Sequence, residues 1–136
     1  MRLIILMAIL AISTFACADN SNEMKYARRY GADARIVLRC VDQDGLIVTN
    51  ASVSSSLFPD GSFTTAIGKD GVTDAYGCFV MEGKTNGEYA YELKKTGFYR
   101  TFEDKYLFKD PSASVSGGRW QPYGATNTVV LKRIVN

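Results

Sequence analysis

Short apolar runs separated by turn residues make up most of this chain. Between Val41 and Phe98 the runs are rich in β-branched and aromatic residues, and Asp-Gly dipeptides at 44–45, 60–61 and 70–71 divide them. Asp-Gly supplies the positive-φ positions that tight hairpins require, so each dipeptide predicts a chain reversal. Residues 74–77 (Asp-Ala-Tyr-Gly) predict a fourth turn. Regular turns without a helical period between them predict an all-β sandwich.

Alternation of apolar and polar positions defines the predicted strands. Tyr89, Tyr91 and Leu93 alternate with polar or small residues, which is the period of a half-buried strand. The Ser/Gly/Pro-rich stretch 110–118 predicts a loop, because such residues do not suit a strand interior. No segment from 34 to 136 carries a helical face. The predicted strands are 34–41, 46–57, 63–67, 78–82, 88–94 and 127–135, with 99–108 either a strand or a long loop.

The beginning of the chain has a pattern of its own. Arg2 precedes an apolar run of ten residues, and small or polar residues follow it. This is typical of a secretory signal peptide and too short for a membrane-spanning helix. We expect residues 1–18 to be removed, residues 19–33 to be a flexible tether and residues 34–136 to be one β-sandwich domain. The protein is therefore predicted to be exported, to the bacterial periplasm and cell envelope or into the medium.

The three cysteines leave two pairs of alternatives open. Residues 16–18 (Ala-Cys-Ala) form a signal-peptidase cleavage site, and the same stretch resembles a bacterial lipobox, in which Cys17 would be acylated. Cys40 and Cys78 remain, and an oxidising compartment favours one disulfide between them. The alternative is two separate thiols, because Cys78 alternates with the apolar Phe79 and would face outward from its strand.

Composition narrows the chemistry. The chain has no histidine, which removes His-based triads, His-ligated zinc and imidazole acid–base catalysis. Its formal net charge of +2 is far from the surplus of a nucleic-acid-binding protein. No carboxylate spacing singles out a glycosidase pair. We therefore expect a protein that is not an enzyme, uses no cofactor, binds no nucleic acid and meets a membrane only through a lipid anchor.

Calcium is the metal ion for which the sequence offers candidate ligands. Asp42, Asp44 and Asp74 supply the oxygen ligands that hard cations prefer. The spacing lacks the further ligands of an EF-hand loop, whereas aspartates in turns commonly bind their own backbone. Turn chemistry is the favoured interpretation, and no metal site is predicted.

Five short motifs, taken in order, resemble a known family. Together they resemble a carboxypeptidase regulatory-like domain, over residues 34–100 and the closing strand. The resemblance implies a transthyretin-like (prealbumin-like) Greek-key sandwich of about seven strands, used as an accessory module of envelope proteins. The chain departs from the family at 48–50, which lack the usual Pro and Gly, and at 102–126, which have no counterpart. The motifs are Val41-Asp42-Gln43-Asp44-Gly45, Ala51-Ser52-Val53, Thr73-Asp74-Ala75-Tyr76-Gly77-Cys78-Phe79, Gly87-Glu88-Tyr89 and Lys95-Thr96-Gly97-Phe98-Tyr99.

The segment without a counterpart holds the candidate ligand-binding residues. Trp120 and Tyr123 lie in a Gly/Ser-rich stretch, and Tyr106 precedes it. Sugar rings stack on exposed aromatic faces, so these residues could bind a glycan; the alternative is that Trp120 is buried and closes the end of the sandwich. We rank a structural or protein-interaction module first, with an envelope protein as its partner. A carbohydrate-binding module ranks second.

Overall fold

The computed structural model describes residues 20–136, which form a two-sheet β-sandwich preceded by a helix. The predicted signal peptide and Cys17 lie outside the described residues. Within 20–136, no helix is long and apolar enough to cross a bilayer. The elements are α1 (Asn20–Tyr30), β1 (Ala32–Asp42), β2 (Ser52–Leu57), β3 (Ile67–Val72), β4 (Cys78–Thr85), β5 (Glu88–Lys94), β6 (Thr101–Tyr106), β7 (Ser114–Ser116), β8 (Arg119–Gln121) and β9 (Ala125–Leu131), with 3-10 turns at Phe63–Thr65 and Leu107–Lys109.

The two sheets are built around β1 and β2. In the first sheet, β4 runs antiparallel along one side of β1, while β9 and the β7–β8 hairpin share the other side. β9 runs parallel to β1, from the pair Ile36–Ala125 to the pair Asp42–Leu131, and β8 meets β1 only at Asp33. The second sheet has the order β3-β2-β5-β6 and is antiparallel throughout. The first and last strands of the sandwich are therefore neighbours.

The core lies between the sheets and follows the alternation of the strands. Along β1 the buried positions include Ala34, Ile36 and Leu38, and along β5 they include Tyr91 and Leu93. Burying a side chain as large as those of Ile36, Leu38 and Leu93 contributes about 1.5–3 kcal/mol relative to leaving it exposed. The prediction of an all-β sandwich is confirmed, with nine strands among the described residues rather than about seven.

Residues 20–30 correct the prediction of a flexible tether, because they form α1. Ala27 is only 1% exposed, and Met24 packs against the same core cluster. Gly31 ends the helix with a φ of 87° and donates its N–H to the Ala27 carbonyl at 2.8 Å, as a glycine following a helix commonly does. Met24 and Ala27 are the α1 residues that contact the core, and two residues over three helical turns form only a narrow apolar stripe. The 3.6-residue hydrophobic period of a helix is therefore weak in this part of the sequence.

Three local predictions are wrong, and all concern strands at the margin of a sheet or the residues next to them. Residues Phe63–Thr65 of the predicted strand 63–67 form a 3-10 turn that precedes β3. Asp70-Gly71 lies inside β3 instead of forming a turn, and Ser114–Ser116 form β7 inside the stretch predicted to be a loop. All six residues of β3 are exposed, and the strand pairs only with β2. Edge strands tolerate glycine and polar residues because their backbone pairs with another strand on one side only. By contrast, the turn at 74–77 forms as predicted, with Gly77 N–H donating to the Asp74 carbonyl at 3.0 Å.

Candidate functional site

A cleft of about 280 Å³ opens between the two sheets, with walls from β1, β5, β6, β8 and β9. It arises because β8 pairs with β1 at Asp33 and β9 begins its pairing only at Ile36, which leaves a gap along that side of β1. Trp120 and Tyr106 line the cleft, so the fold brings two of the three predicted ligand-binding residues together. Tyr123 does not line it and instead stacks under Arg119, whose Cζ lies 4.8 Å from the ring centroid.

Trp120 forms the inner end of this cleft as a core residue. Its side chain is 2% exposed, and its indole N–H donates to the Thr85 carbonyl at 2.9 Å. Thr85 is fully buried, and its hydroxyl accepts the N–H of Gly87 at 3.1 Å. The alternative in which Trp120 closes the end of the sandwich is the one observed. The exposed ring face that a carbohydrate-binding module would need is absent at this residue.

A small polar network borders the cleft at β5, β6 and β9. The side-chain amide of Asn127 donates to the hydroxyl of Tyr89 at 3.0 Å and to that of Tyr91 at 3.4 Å, and Tyr91 in turn donates to Glu103. Burial raises the pKa of Tyr91, and the hydrogen bond to Glu103 raises it further. Both effects keep the hydroxyl protonated, so Tyr91 acts in this network as a hydrogen-bond donor and not as a base.

The network was only partly predictable. Tyr89 and Tyr91 were predicted to be core residues, and both are buried. Asn127 and Glu103 were not singled out, although an amide flanked by threonines at an inward position of the closing strand was a usable signal. Their contact depends on which strands become neighbours across the two sheets, and periodicity does not carry that information.

Cys40 and Cys78, the cysteines of residues 20–136, are both free thiols in the structure. Cys40 is fully buried on the core side of β1, whereas Cys78 is half-buried and pairs in register with the exposed Arg39. Successive residues of a strand point to opposite faces, so the two cysteines belong to opposite faces of the sheet. Of the two alternatives for this pair, the structure has the separate thiols.

The different surroundings of these thiols predict different reactivity. Burial, with a smaller effect from Cys78, raises the pKa of the Cys40 thiol to about 11. The thiolate is the reactive form, so at pH 8 a brief treatment of the native chain with iodoacetamide should label Cys78 and spare Cys40. Peptide mass spectrometry would locate the label, and Cys78→Ser should abolish it. The unfolded chain should be labelled at both cysteines. Faster labelling of Cys40 than of Cys78 in the native chain would contradict the predicted difference in reactivity.

Of the three aspartates considered as calcium ligands, Asp42 and Asp74 cap turns, whereas the Asp44 carboxylate lies 3.4 Å from an Arg133 guanidinium nitrogen. The Asp42 carboxylate, 3% exposed, accepts the backbone N–H groups of Asp44 at 2.9 Å and Leu46 at 3.0 Å and pairs with Arg133. Asp74 accepts the N–H of Cys78 at 2.9 Å. Among residues 20–136, no group of three or more His, Cys, Asp or Glu side chains is placed to hold a metal ion.

No protein-family model and no curated protein matches the chain. Its fold is similar to that of 3-chlorocatechol 1,2-dioxygenase from Rhodococcus opacus 1CP, with a TM-score of 0.59, 11% identity and coverage of 78% of this chain and 62% of that one. It is also similar to chlorocatechol 1,2-dioxygenase from Pseudomonas putida, with a TM-score of 0.59, 14% identity and coverage of 76% of this chain and 61% of that one. A third similar structure is a streptococcal ancillary pilin, with a TM-score of 0.51, 19% identity and coverage of 76% of this chain and 33% of that one. The chain spans less than two thirds of each of these proteins.

The comparisons contradict the expectation that the protein is not an enzyme, because several of the similar structures are dioxygenases. That expectation rested on the absence of histidine and of a carboxylate pair, which excludes particular mechanisms and not catalysis as a whole. Identities of 11–14% convey a shared fold and no activity. The β-sandwich is confirmed.

Proposed function

We propose that this protein is an exported envelope module of the carboxypeptidase regulatory-like type, and that it binds a partner protein by strand addition at the free edge of β9. The observation that carries the proposal is the composition and pairing of this strand. Its seven residues, ATNTVVL, include no charge and no proline, and within residues 20–136 it pairs with β1 alone. An uncharged edge strand with free backbone groups is a template for pairing with another chain.

The other sheet margins carry features that oppose such pairing. α1 packs against β7. The Lys69 ammonium donates to the Val80 carbonyl of β4 at 2.8 Å, and Lys69 and Asp70 also place charges on β3 itself. β6 contains Glu103, Asp104 and Lys105 in succession. Charges and covering elements are the usual means by which natural sheets prevent edge-to-edge association, and β9 lacks them.

The outer face of β9 indicates what kind of segment would fit. Thr126 and Thr128 are exposed, and Val130 is 48% exposed, while Val129 and Leu131 point into the core. An added strand would be held by main-chain hydrogen bonds and would meet threonine and valine side chains. We therefore propose an extended, β-branched segment of another envelope protein as the partner. Export is supported by the signal-peptide pattern of residues 1–18.

Site-specific photocrosslinking in cells tests this proposal. A benzophenone amino acid at Val130 should form an adduct with an exported protein, and mass spectrometry should place the linked peptide in an extended segment of that protein. Ser54 provides the matched control position, because it is exposed on β2 and pairs with a neighbouring strand on both sides. Equal adduct formation at both positions would contradict strand addition at β9.

A charge on the free edge should then reduce the adduct. Thr128→Lys adds an ammonium beside the proposed partner strand, and we expect the Val130 adduct to fall several-fold. Ser54→Lys makes the same kind of change at an exposed position of β2 and should leave the yield unchanged. An undiminished adduct in Thr128→Lys, with both variants folded by circular dichroism, would count against the proposal.

A further inference from the structure

A second cleft, of about 440 Å³, lies where the loops before β2 and after β5 meet. We call it the basic cleft. Three cations line it together with neutral hydrogen-bonding residues, and no carboxylate is among the lining residues. The whole chain has a formal net charge of only +2, so this concentration of positive charge is local. The residues concerned are Lys94, Lys95 and Arg100 with Asn50, Ser52 and Thr96.

One carboxylate beside the basic cleft partly balances these cations. Glu92 accepts from Lys94 Nζ at 2.9 Å through one oxygen and from an Arg100 guanidinium nitrogen at 2.7 Å through the other. Hydrogen bonding to Lys94 is the main cause that lowers the pKa of Glu92, so this carboxyl stays ionised. Lys95 donates to the Thr49 carbonyl and forms no ion pair within the described residues. Within the described residues, Glu92 is therefore the carboxylate with which two of these cations form ion pairs, and Asp70 lines an adjoining cleft with Glu92 and Lys94.

The neutral residues of the basic cleft are also placed to donate hydrogen bonds. Asn50, Ser52 and Thr96 are exposed, so their amide and hydroxyl groups are available to a ligand. Asn50 has a φ of 57° and is the one non-glycine residue of the described chain with a positive φ. Asparagine adopts this left-handed conformation more readily than other residues that carry a side chain, and it does so mostly in turns. The Asn50 N–H, donating to the Thr73 carbonyl at 2.9 Å, fixes it there.

We propose that the basic cleft binds a phosphate group, with Arg100 and Lys95 as its cationic contacts and Ser52 and Thr96 as neutral donors. The planar guanidinium of arginine offers two N–H groups that match two phosphate oxygens. A cleft of 440 Å³ exceeds the needs of a single phosphate ion, which favours a phosphodiester or polyphosphate ligand. Glu92 competes with the ligand, because binding transfers Arg100 from carboxylate to phosphate.

Calorimetric titration of the purified full chain with tripolyphosphate tests the proposal. We expect saturable binding that Arg100→Gln weakens about tenfold, because a charge-assisted hydrogen bond is lost. Arg39→Gln is the matched control, since Arg39 is exposed on the outer face of β1, away from the cleft. Glu92→Gln should tighten binding several-fold by removing the competing charge.

The outcomes separate a built site from general charge attraction. Absence of saturation, or equal weakening by Arg39→Gln and Arg100→Gln, would overturn the proposal. Lys95→Gln provides a second weakening variant should Arg100→Gln fail to fold. Sedimentation with phosphatidylglycerol vesicles, compared with phosphatidylcholine vesicles, tests whether the bound phosphate belongs to a lipid headgroup. If the protein binds phosphatidylglycerol vesicles and Arg100→Gln abolishes that binding, the ligand is a lipid headgroup. If the protein binds tripolyphosphate but not the vesicles, the ligand is a soluble phosphate compound. Thr128→Lys should change neither result, which keeps this site distinct from the β9 edge.

Discussion

Trp120→Ala is expected to destabilise the fold by about 3–5 kcal/mol, because it removes the largest side chain at the inner end of the cleft between the sheets. The ring is 2% exposed and its N–H satisfies the buried Thr85 carbonyl. The variant loses both the packed apolar area and the only indole reporter of the chain. Urea unfolding followed by far-ultraviolet circular dichroism is therefore the suitable measurement.

Two further variants separate the contributions of packing and of the indole hydrogen bond to this loss of stability. Trp120→Phe keeps most of the apolar contact but leaves the Thr85 carbonyl without its donor, which should cost about 1–3 kcal/mol. Tyr123→Ala, at an aromatic residue that is 39% exposed and outside the cleft, should cost about 1 kcal/mol or less. If Trp120→Ala were no more destabilising than Tyr123→Ala, Trp120 would not have the structural role described above.

Gly77→Ala is expected to destabilise the protein by about 3 kcal/mol or more, through two effects that add. Gly77 has a φ of 74°, which costs an alanine about 1–2 kcal/mol. A Cβ at this position would also lie 2.8 Å from the Cys40 carbonyl oxygen, a backbone atom that cannot move aside alone. The Cys40 N–H donates to the Gly77 carbonyl at 2.7 Å, so the two segments are already held at close range.

Gly45→Ala isolates the conformational part of this prediction. Gly45 has a nearly equal φ of 78°, but beyond Gly45 itself and its two chain neighbours no heavy atom lies within 4 Å of the position of its Cβ. We expect this variant to lose only about 1–2 kcal/mol. Thermal and urea unfolding of both variants give the difference, which measures the close approach at Gly77. Equal losses would show that the backbone around Cys40 relaxes to admit a methyl group.

The sequence predicted those parts of the fold that depend on local pattern. The alternation in β5 and the Asp-Gly turns are local signals, and the strand and most reversals are found where they were expected. The prediction misplaced β3 because Asp70-Gly71 is a strong turn signal. In the structure this dipeptide lies within an edge strand, where the backbone on one side of the strand needs no partner. α1 was missed because its buried stripe consists of little more than Met24 and Ala27.

The candidate sites were less predictable, because both depend on contacts distant in sequence. Asn127 meets Tyr91 across 36 positions and only after β9 has paired with β1. The basic cleft joins Asn50 to Arg100 from two different loops, and in the sequence its cations are interspersed with ordinary surface charges. Composition therefore identified aromatic candidates, whereas strand pairing decided that Trp120 is buried and that Lys94, Lys95 and Arg100 converge.

The parallel pairing of the first and last strands also bears on mechanical strength. Seven residue pairs join β1 to β9, from Ile36–Ala125 to Asp42–Leu131. A force that pulls the start of β1 away from the end of β9 acts along these strands, so it loads all the connecting hydrogen bonds in shear at once instead of opening them one by one. Forced unfolding is governed by the rate of crossing that barrier. A protein tethered at its N-terminal side and pulled from its C-terminal side would resist extension through this one strand pair.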